Sequence, residues 1–420
     1  MESANHTHKL IGPFRQLVTL RELPLKGALS DEQLEVISSA GILIHGDQIL
    51  EVDHYEHLVG KANDLGAQIV SVAGDHVCLP GFIDAHTHVC FGGTRARDYA
   101  LRNAGKSYLE IAREGGGIWD TVKQTRQTDE AQLVNEMLQR LKRLTTSGIT
   151  TVEVKSGYGL SIADELKMLR AIKSANEIAD QDLIPTCLAA HVLPRDYDGN
   201  HHQYLQEMAR DLLPQVLEQG LASRADIFIE DEAFGTEMAF EYLQSAQKLG
   251  FDLTVHADQF SAGGSQVAAD LGAKSADHLE ASTEREIKLL AESDVVAMAL
   301  PGASIGLGCA FTPARKILDH GGSLAIASDW NPGSAPMGEL LVQASMLATS
   351  EKLTNAEVLA GITNRAAAAL GLSDRGILEA GKKADFIIYN TSHYNEVFYH
   401  QGMMKPAQVW KDGKKVLGSN

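Results

Sequence analysis

The stretch Val77-Cys78-Leu79-Pro80-Gly81-Phe82-Ile83-Asp84-Ala85-His86-Thr87-His88 decides how this chain reads. Residues 82–88 have the texture of a short strand, and side chains two apart on a strand share a face. His86 and His88 are therefore predicted to project together from the strand's carboxyl end, where two neutral imidazoles can grip one divalent metal. Alone, a His-x-His is a weak signal, because a pair of metal-free rim histidines is the commoner occurrence. The rest of the chain shifts that balance.

Downstream, strand-like and helix-like segments alternate. Strands are predicted at 82–88, 150–156, 184–191, 225–230, 253–256, 275–278, 295–300 and 323–328, with amphipathic helical stretches such as 130–147, 162–179, 204–219, 238–249 and 283–291 between them. Eight alternations define an α/β fold and fit a (β/α)8 TIM-like barrel, although an open doubly wound sheet matches the local pattern nearly as well. The barrel is favoured because the chemically active residues fall at strand carboxyl ends, the face on which barrel enzymes place their sites. His86 and His88 end the first strand, Tyr158 follows the second and His191 ends the third. His256 ends the fifth, His278 the sixth, and Asp329 follows the eighth.

Hydrolysis of an amide-like bond near neutral pH needs a stronger nucleophile than bulk water, and a bound Zn2+ lowers the pKa of its water to about 7. His86, His88 and His256 would supply nitrogen ligands. Asp329 could ligate the metal, accept the water's proton, or do both. His278 is placed to steer or protonate a developing oxyanion.

The chain ends have a different texture. Short segments at 16–20, 41–45, 48–52 and 68–72, and again at 385–389, 406–410 and 415–417, are apolar and separated by turn formers; Asp412-Gly413 is a hairpin signal. The domain division read from this is 1–80 plus 375–420 as a small β-sandwich formed by both termini, and 81–374 as the barrel. Residues 1–10, with His6 and His8, are polar and expected to be mobile. His201-His202 is expected in an exposed loop. Gly115-Gly116-Gly117 lacks the Gly-Lys-Ser/Thr ending of a phosphate loop and reads as a pliant part of the first βα loop.

A net charge of −18 over 420 residues, without a basic stripe, argues against nucleic-acid binding. It leaves room for a small anionic substrate, because screening lets one local arginine dominate a pocket. The four cysteines (Cys78, Cys90, Cys187, Cys309) are scattered, which suits a reducing cytoplasm. No apolar run is long enough for a membrane span, and none resembles a signal-peptide core.

The His-x-His, the fifth- and sixth-strand histidines and the eighth-strand aspartate together resemble the amidohydrolase superfamily, metal-dependent barrels carrying a β-sandwich made from both chain ends. Leu79-Pro80-Gly81-Phe82-Ile83-Asp84-Ala85-His86-Thr87-His88 looks like its hallmark, and Gly381-Lys382-Lys383-Ala384-Asp385-Phe386 is similar to its turn back into the β domain. Binuclear members carry a carbamylated lysine on the fourth strand. Here that strand reads Ala225-Asp226-Ile227-Phe228-Ile229-Glu230-Asp231, and Lys155 ends the second strand instead. The resemblance thus implies one divalent metal per subunit, Zn2+ ahead of Fe2+ or Fe3+, and a homodimer.

Longer stretches resemble the branch of that superfamily that opens an imidazolone ring in histidine breakdown. They are Phe91-Gly92-Gly93-Thr94-Arg95, Tyr108-Leu109-Glu110-Ile111-Ala112, Glu153-Val154-Lys155-Ser156-Gly157-Tyr158-Gly159-Leu160, His256-Ala257-Asp258-Gln259 and Ser328-Asp329-Trp330-Asn331-Pro332-Gly333-Ser334. The implied reaction is hydrolysis of 4-imidazolone-5-propanoate to N-formimidoyl-L-glutamate. Arg95 would pair with the propionate, its planar fork suiting a carboxylate. Tyr158 and His191 would hold the ring, and Asn331, Gly333 and Ser334 match positions that contact the glutamate-like part of the product. Gln259 stands where related deaminases carry a proton-shuttling glutamate. An amide is no acid or base near pH 7, so Gln259 is confined to hydrogen bonding the ring, and proton transfer falls to Asp329 and His278. The rival readings are a mononuclear cyclic deaminase, which Gln259 and Arg95 disfavour, and a non-catalytic barrel scaffold, which the intact ligand set disfavours.

Overall fold

A computed structural model of the chain describes residues 7–106, 108–231 and 233–418. Eight parallel strands pair in sequence order: Phe82–Asp84, Ile149–Lys155, Asp182–Ala190, Arg224–Ile227, Asp252–Ala257, Ser275–His278, Val296–Ala299 and Ser323–Ile326, here strands 1 to 8. Strand 2 is buried at every position, as expected of a parallel strand covered on both faces. The helix Glu130–Thr146 shows how the covering layer forms. Asp129 caps it by accepting from the Gln132 N–H, and Leu133, Met137, Leu141 and Leu144 recur every three or four residues to make one buried stripe.

The barrel closes between strands 1 and 8 by backbone contacts beyond the regular ladder. The Asp329 N–H donates to His86 O at 3.0 Å, and the His88 N–H donates to Trp330 O at 2.9 Å. At the opposite end the short helix Asn364–Ala369 fills the seam, with Ala366, Ala367 and Ala369 packed in one cluster with Ile83 and Ala325.

The terminal domain is one mixed sheet of eight strands. Its order runs Lys414–Leu417, Gln408–Lys411, Phe386–Tyr389, Val77–Pro80, His8–Val18, Val36–His45, Gln48–His54, with Gln68–Ser71 beside His8–Val18. The sheet curls until its far edge returns, where Gln48 bridges Lys383, and the enclosed core includes Phe14, Ile42, Phe386 and Trp410.

Two expectations need correction. Residues 8–10, expected to be mobile, begin the long central strand His8–Val18 of this sheet, in which Leu10, Phe14 and Leu17 are fully buried; His6 lies outside the described residues. His201-His202 opens the helix His201–Glu207, whose start Asn200 caps through the Gln203 N–H, and the chain then passes through a π-turn at Met208–Leu212.

An ion cluster joins the two units. Asp182, at the foot of strand 3, receives Arg375 Nη1 at 2.5 Å, Lys383 Nζ at 3.0 Å and Lys411 Nζ at 3.1 Å. Asp385 and Asp412 complete the cluster, so these three carboxylates are neutralised by three cations and need no metal. Against the cost of burial, Lys411, Arg375 and Lys383 hold the Asp182 carboxyl down to about 2. A depressed folded-state pKa stabilises above the unfolded value of about 4 and is lost as pH falls through the folded value. Asp182→Asn is expected to cost about 1–2 kcal/mol at pH 7, the site being partly exposed, and to flatten the loss of stability between about pH 4 and pH 2. Denaturant unfolding across that range checks both.

Candidate active site

The rim residues converge. Beyond strand 1, His86 and His88 place their Nε2 atoms 3.3 Å apart, and His256 Nε2, near the end of strand 5, lies 3.3 Å from that of His88. Asp329 Oδ1 stands 3.6 Å from His86 Nε2 and 3.5 Å from His88 Nε2. All four side chains are buried.

The tautomers are set from below. His86 Nδ1 meets Asp277 Oδ2 at 2.6 Å, and His256 Nδ1 meets Asp226 Oδ2 at 2.9 Å. The hydrogen bond to Asp277 holds the His86 proton on Nδ1, so its Nε2 presents a lone pair; Asp226, at ion-pair distance from His256 Nδ1, favours the same tautomer there. Burial depresses all three histidines, with His256 at about 4, so they are neutral near pH 7. The Nε2 lone pair of His86 and the Asp329 carboxylate oxygen, 3.6 Å apart, repel unless a proton or a cation lies between them. The four separations, 3.3–3.6 Å, are near the edges of a tetrahedron whose metal–ligand bonds are about 2.0–2.1 Å. The donor set therefore fits a divalent metal ion.

Beneath these histidines lies the feature that sequence reading missed. Lys155, fully buried at the end of strand 2, places Nζ 2.8 Å from Asp226, 2.9 Å from Glu153 and 3.5 Å from Asp277. One ammonium thus ties both carboxylates that orient His86 and His256. Burial opposes its charge, but Asp226, Glu153 and Asp277 outweigh this and raise its pKa. The same pairing, with His256, holds Asp226 well below the usual carboxylate range despite burial.

Asp329 is buried enough to push its carboxyl up to about 7, although His278 and the Asn331 amide, which donates to Oδ2 at 2.8 Å, pull the other way. His278 is raised: burial opposes its charge, and Glu280, with Oε2 3.5 Å from Nδ1, more than offsets it. Backbone φ values of 86° at His278 and 51° at Asp329 take both residues out of plain strand alternation.

Above the histidines opens a cavity of about 820 Å³ lined by Arg95, Tyr158, His191, Gln259, His278, Asp329, Asn331, Gly333 and Ser334 among others. His191 Nδ1 lies 3.0 Å from Gly157 O, and its ring stacks 5.5 Å from that of His88, beside Tyr158. Gln259 sits between two clamped neighbours. Asp258 accepts from the Gly263 and Ser265 N–H groups and the Ser265 and Ser282 hydroxyls, while Glu230 accepts from the Phe260 and Ser261 N–H groups. Asn331 spends its amide on Asp329 and Ser334 Oγ, and its carbonyl accepts from Gly333 and Ser334 N–H, so it shapes this loop as well as lining the cavity. Arg95 Nε donates to Asp98 Oδ2 at 3.0 Å. That same oxygen accepts the Gly117 N–H, and a Cβ on Gly116 would collide with Asp98, so the glycine run lets the backbone close on this carboxylate.

All the residues singled out at the barrel rim therefore border one cavity or its floor, while His202 lies on the surface near Glu241. Asp226, Asp277, Glu230, Asp258 and Glu280 were not found from sequence. The available signal was a run of acidic residues at strand ends, which the cross-barrel partner alone makes specific.

The profile of the amidohydrolase family matches residues 111–417. Imidazolonepropionase of Acinetobacter baumannii is 40% identical over 93% of this chain and 97% of the relative. That of Fusobacterium nucleatum is 39% identical over 96% of this chain and 97% of the relative. Among solved structures, a zinc complex of atrazine chlorohydrolase from Arthrobacter aurescens superposes with a TM-score of 0.69 at 16% identity, covering 98% of this chain and 95% of that one. A zinc-bound adenosine deaminase from Xanthomonas campestris gives 0.69 at 19% identity, covering 98% and 93%. These two share the fold.

On the reading that His256 ligates a metal, which Asp226 beside its Nδ1 would support, Asp226→Asn is expected to weaken metal binding by about 10–100-fold. Chelator competition on the variant measures this, and unchanged affinity would remove the orienting role.

Proposed function

This chain belongs to the amidohydrolase family, in its imidazolonepropionase branch, and from that premise we propose that it opens the ring of 4-imidazolone-5-propanoate by hydrolysis, releasing N-formimidoyl-L-glutamate. The observation that carries the reading is one cavity with the imidazoles of His86, His88 and His256 and the Asp329 carboxyl at its floor and Arg95 on its wall. His86, His88, His256 and Asp329 would hold one metal ion per subunit, Zn2+ ahead of iron, since Zn2+ and Fe2+ both accept such a set. When bound, that ion supplies an activated water and polarises the ring carbonyl.

The protein's own groups handle position and protons. Arg95 pairs with the propionate, which the planar guanidinium suits. Tyr158, His191 and Gln259 hydrogen-bond the ring; Gln259 exchanges no proton. Asp329, buried at the cavity floor, takes the proton of the attacking water and returns it to the ring nitrogen as the C–N bond breaks. His278, kept basic by Glu280, donates to the oxygen on which negative charge develops. Asn331, Gly333 and Ser334 border the glutamate-like part of the product. A cytoplasmic homodimer, and the division at residues 81 and 375, belong to the same proposal.

The decisive assay follows loss of 4-imidazolone-5-propanoate, generated enzymatically from urocanate, before and after chelation. Activity is expected to disappear with the metal and return on adding Zn2+. Ammonia release from another heterocycle, without ring opening here, would establish a deaminase instead. Asp329→Ala is expected to abolish turnover. Arg95→Ala chiefly raises KM, and steady-state kinetics showing both kcat and KM unchanged would sink its assigned role.

A further inference from the structure

The cavity is lopsided in charge. At the end opposite the histidines, two guanidinium groups converge on Gly333. A Cβ at Gly333 would lie 2.3 Å from Arg95 Nη1, and Gly333 O accepts from Arg102 Nη2 at 3.4 Å. Arg95 is the N-cap of the helix Ala96–Asn103, and Arg102 follows seven residues on, a spacing that returns to the same helix face. Both side chains line the cavity.

Two cations this close repel each other, and the acid between them is already engaged. Asp98 binds Arg95 Nε and the Gly117 N–H through one oxygen. One carboxylate against two guanidiniums leaves a local excess of one positive charge. Arg102 is also poorly satisfied. Its bond to Gly333 O is long, its next partner is the Tyr99 ring at 5.8 Å, and its buried Nε has no hydrogen-bond partner among the described residues. Burial and the charge of Arg95 both lower its pKa, in the direction that an added anion would reverse.

We propose that Arg102 is a second carboxylate-binding residue, forming with Arg95 a clamp that selects substrates carrying an anionic tail. The proposal rests on the hydrolase reading above, from which the tail comes. A planar carboxylate offers two oxygens, one for each guanidinium fork, and neutralises the local excess. A neutral side chain of the same length leaves both forks unpaired, so discrimination comes from the clamp as well as from ring recognition.

Calorimetric titration of the metal-loaded protein with 3-(imidazol-4-yl)propanoate and with its carboxamide tests this. Wild type is expected to prefer the acid. Arg102→Gln should weaken the acid by about 10–100-fold, the range for a lost charge-assisted hydrogen bond, with little effect on the carboxamide; Arg102→Lys should recover part of the loss. In turnover, KM for 4-imidazolone-5-propanoate should rise by a similar factor with kcat moving less. Equal losses for acid and carboxamide, acid binding within twofold of wild type, or a wild type indifferent to the tail would each overturn the clamp. Thermal melts of both variants separate binding from folding. If wild type fails to open the imidazolone yet binds the acid in an Arg102-dependent way, the activity falls and the clamp stands.

Discussion

Much of this molecule hangs on an ammonium group that no solvent touches. Lys155 sits under the histidines with Glu153, Asp226 and Asp277 around it, all four buried. An isolated buried charge is expensive, so each member is tolerable only because the others are present. Lys155 and His256 hold Asp226 in its ionised form, and Asp226 and Asp277 stand against Nδ1 of His256 and His86 and orient those rings. The lone pairs facing the cavity floor are thus determined one layer down. In a low dielectric such a chain of dependence stiffens the site, since rotating any one group strands another.

The outer layer of this arrangement was legible in sequence, and the inner layer was not. His86, His88, His256, His278 and Asp329 announce themselves by residue type and by position at strand ends, because a barrel exposes that rim to substrate. Asp226 and Asp277 look like ordinary strand acids. Their meaning depends on partners 30 and 191 residues away, across a barrel whose closure no local period encodes. The terminal sheet repeats the lesson. Its individual segments are readable, but the pairing of Val77–Pro80 with Phe386–Tyr389 rests on chain topology, and Ile387 and Leu79 carry no mark of each other.

Buried carboxylates also organise the loops around the cavity. Asp98 holds Gly117, Asp258 gathers Gly263 and Ser265, Glu230 fixes Phe260 and Ser261, and Glu165 accepts from Gly157, Gly159 and Leu160. Each satisfies backbone N–H groups that a tight loop would otherwise leave unpaired. Part of the acidic composition is therefore internal scaffolding and contributes little to the outer field. The net charge of −18 consequently describes the exterior less well than the sequence suggests.

The barrel seam gives the ligand set a second meaning. His86 and Asp329 face each other across the junction where strand 1 meets strand 8, and their backbones bond directly there. An ion held by both would be a reversible cross-link spanning 329 − 86 = 243 positions of chain. Unlike a disulfide, such a link is made only in the folded chain, so its binding free energy adds directly to the stability of the closed barrel. The reacting centre and the clasp of the architecture are then one object, so a drift that loosened the ligands would also loosen the ring of strands.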